Sequence, residues 1–98
     1  FNASLPFPSK PSQPNKLVGM VLTPNNELIP DTIVEIKDEE GRAVRVVKTN
    51  ALGQFYLSTP LSNGNYTIHP EHERYQFANQ EVQLAGEIME PIEIRSLS

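Results

Sequence analysis

Five consecutive residues, His69-Pro70-Glu71-His72-Glu73, hold the densest set of groups able to move protons or bind a metal. Two imidazoles and two carboxylates are the right types for zinc, but zinc wants three or four ligands converging on one point. Pro70 sets a turn between the histidines, so the expectation is solvated loop histidines and no metal. Asp38-Glu39-Glu40 before Gly41 offers hard oxygen donors, yet it lacks the alternating acidic spacing of a calcium loop. A solvated acidic turn is expected there. Nucleophilic catalysis needs a serine activated by a histidine and an acid. Ser58 or Ser62 with His69 supplies only the residue types, and G-x-S-x-G, a P-loop and G-x-G-x-x-G do not occur. With no cysteine, thiolate zinc sites, disulfides and cysteine nucleophiles are excluded. No catalytic, metal-binding or cofactor-binding residue is assigned, and no cofactor is expected.

Charge narrows the partners. Eight Lys/Arg against twelve Asp/Glu give a net charge of −4, and the signs are interspersed. A phosphate backbone needs clustered cations, so no nucleic-acid partner is expected. The longest apolar run, Leu17–Leu22, falls far short of the ~20 residues that span a bilayer. A membrane is therefore expected only through a segment outside this stretch. A start at Phe1 points to a piece of a longer protein. Asn2-Ala3-Ser4 and Asn65-Tyr66-Thr67 match the glycosylation acceptor pattern, which arises often by chance.

The 98 residues suffice for one domain. Residues 1–15 carry Pro6, Pro8, Pro11 and Pro14 with serines between them. Proline lacks an N–H and restrains its predecessor to extended backbone, so this segment is expected to be a Pro/Ser-rich linker. Phe1, Leu5 and Phe7 are apolar enough to pack on the domain. From residue 16 to 98 the hydrophobic period is two. Strands are predicted at Leu17–Thr23, Thr32–Lys37, Val44–Thr49, Gln54–Thr59 (stopped by Pro60), Asn65–His69 (stopped by Pro70) and Pro91–Arg95. A further strand is predicted at Tyr75–Phe77 and Glu81–Leu84, interrupted at Ala78-Asn79. Seven short strands with turns every 8–12 residues predict an all-β, antiparallel β-sandwich over 16–98.

Certain residues stand in a familiar order. Gly19-Met20-Val21 precedes Ile29-Pro30-Asp31-Thr32-Ile33-Val34-Glu35-Ile36, Asp38 and Gly41. Thr49-Asn50-Ala51-Leu52-Gly53-Gln54-Phe55 follows, then Leu61-Ser62-Asn63-Gly64-Asn65-Tyr66 and Tyr75. That order resembles the carboxypeptidase regulatory-like domain, over about residues 16–95, and the resemblance implies a transthyretin-like (prealbumin-like), Ig-like, seven-stranded antiparallel Greek-key β-sandwich. Gly53 and Gly64 would serve tight turns, and Phe55 and Tyr66 would plug the core from adjacent strands. Thr49 and Asn50 can bond turn backbone through their side chains. The sequence departs from that pattern at Asp31-Thr32, where Gly-Ala is common, and at Arg74, where Gly is common. Lys48–Pro60, Asn63-Gly64 and Pro91-Ile92-Glu93-Ile94-Arg95 also resemble the soluble C-terminal domain of membrane-anchored proteins associated with bacterial type IV secretion and conjugation.

These motifs are folding motifs, so they argue for a fold and not for chemistry. Tyr56 is expected to be exposed if Phe55 points inward. Val18, Met20 and Leu22, with Val44 and Val46, are expected to form an outward apolar band that meets the linker, a neighbouring domain or a second copy. Tyr56, Val18, Met20 and Leu22 are thus the candidate interaction surface. The expectation is a non-catalytic spacer or docking module of a larger bacterial membrane-associated or surface protein. Its partner would be another protein or a neighbouring domain, with weak homodimerisation as a further option. The alternative is a carbohydrate-binding accessory module. A transthyretin-like hydrolase would need a C-terminal Tyr-Arg-Gly-Ser signature, for which Arg95-Ser96-Leu97-Ser98 is a poor substitute.

Overall fold

The computed structural model describes residues 5–98. Phe1 and the Asn2-Ala3-Ser4 acceptor pattern lie outside the described residues. The strands are β1 (Val18–Leu22), β2 (Ile33–Lys37), β3 (Ala43–Lys48), β4 (Gln54–Tyr56), β5 (Gly64–Glu71), β6 (Gln80–Leu84) and β7 (Ile92–Arg95). They form two stacked sheets, β4-β1-β7 and β3-β2-β5-β6. The chain is therefore an all-β sandwich, and among the described residues no helix is long and apolar enough to cross a membrane.

Alternation builds the core. Val34 and Ile36 of β2, Tyr66 and Ile68 of β5 and Leu84 of β6 face Leu17, Val21, Phe55, Leu57 and Ile94 of the opposite layer. Leu17, Val21, Val34, Ile36, Phe55, Leu57 and Ile94 are each at most 1% exposed, which is the water exclusion that drives the layers together. Phe55 and Tyr66 therefore come from opposite sheets and not from adjacent strands. Gly19 lies beneath Phe55, where a Cβ would collide with the aromatic ring and with the carbonyl of Ile92.

Three further sequence expectations are corrected. The sheet containing β1 is not wholly antiparallel, because β1 and β7 pair in parallel, Gly19 opposite Ile92 through Leu22 opposite Arg95. Parallel neighbours need a long crossover, and here the five intervening strands supply it without strain. Pro70 does not stop its strand but sits within β5 opposite Val34. β5 turns its N–H groups alternately toward β2 and β6, and position 70 faces the β6 side. The β6 pairing ends at Ile68–Gln80, so proline's missing donor costs no ladder bond there. Residues 75–77 are not a strand, because Tyr75 closes a turn by donating its N–H to the His72 carbonyl at 3.4 Å.

Loop chemistry fixes the corners. Thr49 Oγ1 accepts from Thr32 N–H at 2.8 Å and donates to the Ile29 carbonyl at 2.9 Å. Asn50 Oδ1 accepts from the N–H groups of Leu52 and Gln54 at 2.9 and 3.0 Å, the side-chain mimic of a turn. Gly53 has φ +73°, and a Cβ there would also lie 2.8 Å from the Val21 carbonyl oxygen, so only glycine fits. Asp31, at the position where the resembling family commonly has glycine, adopts φ +61°. Aspartate is among the few side chains that tolerate this region.

Candidate functional site

The histidine cluster lies at one end of the four-stranded sheet. His69 points outward from β5 because its neighbours Ile68 and Pro70 point inward. Its Nδ1 lies 2.6 Å from Asn79 Oδ1 and its Nε2 lies 3.2 Å from Glu71 Oε1. His72 sits on the following turn. Its Nδ1 accepts from Arg74 N–H at 3.1 Å, and its ring meets Tyr75 edge-on with centroids 5.2 Å apart. Both histidines line one open groove of about 710 Å³, with Ile33, Arg74, Phe77 and Leu97 among its walls. The groove is half apolar, and Leu97 is 63% exposed. Each imidazole already has a local partner, and among the described residues no three His, Cys, Asp or Glu side chains converge as a metal site.

The acidic turn is occupied by its own chain. Asp38 Oδ1 accepts from the N–H groups of Arg42 and Glu40 at 2.9 and 3.0 Å, and Oδ2 accepts from Arg42 Nε at 3.2 Å. The Arg42 N–H is the main cause holding the Asp38 carboxyl below the usual carboxylate range, and the Arg42 charge and Glu40 N–H act in the same direction. Asp38 is therefore a turn cap, with its lone pairs committed to amide and guanidinium donors. A second hollow of about 410 Å³ adjoins this turn and includes Glu39, Thr67 and Glu81.

Tyr56 is 48% exposed at the end of β4. Val18, Met20 and Leu22 are not an exposed band: they are 4%, 0% and 0% exposed. They do lie on the outer face of their sheet, since they alternate with the core residues Leu17 and Val21. The proline-rich segment reaches this face. Gln54, the register partner of Met20, donates from Nε2 to the Pro6 carbonyl at 2.6 Å, and Pro8 is buried. Lys10 Nζ pairs with Glu90 at 2.6 Å farther along the segment. Val46, by contrast, is 57% exposed on β3.

Asn15 is a structural residue that sequence reasoning passed over. Its φ is +60°, and it is 7% exposed. Its Nδ2 donates to the Leu61 carbonyl at 3.1 Å and to Asn63 Oδ1 at 2.7 Å, while its Oδ1 accepts from Gly86 N–H at 2.9 Å. Its backbone N–H donates to the Glu87 carbonyl, and its own carbonyl accepts from Leu61 N–H, both at 3.0 Å. One side chain thus ties the end of the proline-rich segment to two loops far along the chain. The available signal was the Pro14-Asn15 pair, because asparagine readily takes left-handed turn backbone.

No curated protein matches the chain. A family model described as "BOS complex subunit NOMO1-like, second beta sandwich domain" matches residues 16–90. That span contains strands β1 to β6 and the turns at Thr49–Gly53 and Ser62–Gly64. The chain therefore belongs to the NOMO1-like second β-sandwich domain family.

Proposed function

We propose that this sandwich is a non-catalytic structural or protein-interaction module within a larger membrane-associated or surface assembly. One observation carries the reading. The buried polar residues described are Asn15, Thr23, Thr32, Thr49 and Ser96, none of them ionisable. They hold turns and termini: Ser96 N–H, for instance, donates to the Leu22 carbonyl at 2.8 Å. Enzymes place titrating groups where burial and neighbours perturb them, and the interior of this domain is instead committed to packing and backbone satisfaction. The matched family is described as a domain of a complex subunit, which supports a place in an assembly. The resemblance to carboxypeptidase regulatory-like domains, and to soluble domains of secretion-linked membrane proteins, supports the same role.

The test has two arms. A photo-crosslinking residue at Tyr56 in the full-length parent protein, in native membranes, is expected to capture another protein or another region of the same chain. The purified domain is expected to turn over no chromogenic ester, phosphate ester or glycoside. Turnover that disappears in His69→Ala or His72→Ala overturns the reading.

A further inference from the structure

We propose that the free edge of β3 docks an extended, acidic segment of a partner protein by strand addition. The proposal rests on the docking-module reading and gives it a place and a partner chemistry.

β3 is the outermost strand of the four-stranded sheet. Thr49 N–H donates to the Thr32 carbonyl at 2.9 Å, which fixes the phase of the ladder between β3 and β2. In an antiparallel pair, bonded and non-bonded positions alternate. The backbone groups of Val47, opposite Val34, therefore turn toward β2, while those of Val46 and Lys48 turn away from it. Among the described residues no turn or loop hydrogen bond reaches the backbone groups of Val46 or Lys48. On the far side of this run the Val44 carbonyl is capped by Arg45 Nη1 at 2.9 Å. Unpaired edges of this kind template another strand.

Charge selects the strand. From Gly41 to Pro70 the chain has no Asp or Glu, but it has Arg42, Arg45 and Lys48, although the whole chain carries −4. Arg42 is held by Asp38 and Glu40, each at 3.2 Å. The nearest outer-face acid, Glu35, stands opposite Val46 and is engaged by Lys37 at 3.5 Å. Arg45 and Lys48 have no carboxylate partner among the described residues. Arg45 reaches instead to Thr59 Oγ1 at 3.1 Å, between the two sheets. Positions 45 and 48 project to opposite faces of β3, so an added strand meets a cation on each face and the exposed Val46 between them. A second copy added edge to edge would place two strands side by side that each carry Arg45 and Lys48 and no acid, so neither cation would gain a carboxylate partner from the other strand. An extended segment with acids on both faces and an aliphatic residue opposite Val46 matches every feature of the edge.

The probe is a synthetic acidic peptide, Ac-Thr-Glu-Thr-Val-Asp-Val-Thr-amide, whose Glu and Asp fall on opposite faces of an extended strand, titrated into the ¹⁵N-labelled domain at about 50 mM salt, where surface charge is little screened. Amide shifts are expected at Val46 and Lys48, on the edge of β3. Lys48→Glu and Arg45→Glu should each weaken binding about tenfold, and the lysine-for-acid version of the peptide should not bind. Val46→Pro removes an edge-facing N–H that β2 does not use, so it should keep the circular dichroism of the fold and abolish binding. Should that variant fail to fold, the charge reversals and the shift map still decide. No binding at millimolar peptide, shifts in the His69–Leu97 groove instead, or equal binding of the basic peptide overturns the proposal. Dimerisation through β3, seen by sedimentation and lost in Lys48→Glu, replaces the acidic partner with a second copy and also overturns it. Failure of this titration leaves the Tyr56 crosslinking and the turnover assays standing as separate tests of the module reading.

Discussion

Replacing Asn15 by alanine should cost this domain about 4 kcal/mol, from two separable sources. The side chain makes three hydrogen bonds, to the Leu61 carbonyl, Asn63 Oδ1 and Gly86 N–H. In a mostly buried site each contributes about 1 kcal/mol, and the stranded partners must find water or remain unsatisfied. Alanine must also hold φ near +60°, a region where an ordinary L-residue pays ~1–2 kcal/mol that asparagine largely escapes. Glycine separates the two sources, since it loses the bonds but not the backbone freedom. Asn15→Gly should therefore be milder than Asn15→Ala by about 1 kcal/mol. Asn15→Asp keeps the acceptor for Gly86 N–H but aims a second oxygen at the Leu61 and Asn63 oxygens. Its carboxyl should be pushed up in the folded state, so the Asp variant regains stability as pH falls through that raised value. Urea unfolding followed by circular dichroism measures all three. For a domain of this size the alanine loss corresponds to a fall in Tm on the order of 20 °C. Alanine and glycine variants both within about 0.5 kcal/mol of the parent would refute the clamp, since that is the scatter of ordinary surface changes.

Gly19→Ala should lower stability by more than about 3 kcal/mol, because the new methyl meets the Phe55 ring and a backbone carbonyl that cannot move aside; thermal unfolding checks it. Asp38 has a folded-state pKa held below its unfolded value, so its contribution is present above the unfolded value near ~3.9 and is lost as pH falls through the lower folded one. Asp38→Asn should flatten that part of the acid unfolding curve, and an unchanged curve counts against the cap. Removing residues 1–14 should uncover Val18, Met20 and Leu22, raise binding of the dye ANS and cost roughly 2–4 kcal/mol. Unaltered dye binding and stability would mean that the proline-rich segment covers nothing.

The strands were legible because their alternation is strong and their ends are punctuated. Val34 and Ile36, or Tyr66 and Ile68, announce a half-buried strand without reference to anything distant. The Asn50–Gly53 turn was equally local, since the Asn50 side chain closes onto Leu52 and Gln54, whereas Thr49 reaches back to Thr32 and Ile29. Reading failed where a residue's role depends on what lies across from it. Pro70 looks like a stop until β6 is seen to end at Gln80, short of the position where a donor would be needed. Met20 and Leu22 look like an exposed band until each is found fully buried, with Gln54, the neighbour of Met20 across the ladder, bonded to the Pro6 carbonyl. The candidate groove was half legible: His69 and His72 are sequence neighbours, but Ile33 and Leu97 join them only in space.

Taken alone, the order of residues determined that this chain is all-β, where most of its strands lie and that Val34, Ile36, Phe55, Tyr66, Ile68 and Ile94 turn inward. These follow from a two-residue period and from turn chemistry, both of which act over short stretches of backbone. Tertiary structure decided that β7 runs parallel to β1, that Asn15 ties its segment to the loops at Leu61 and Gly86, and that Val18, Met20 and Leu22 are buried. Those outcomes depend on contacts between residues tens of positions apart, and no local pattern records which distant partner a backbone group or an apolar face will find.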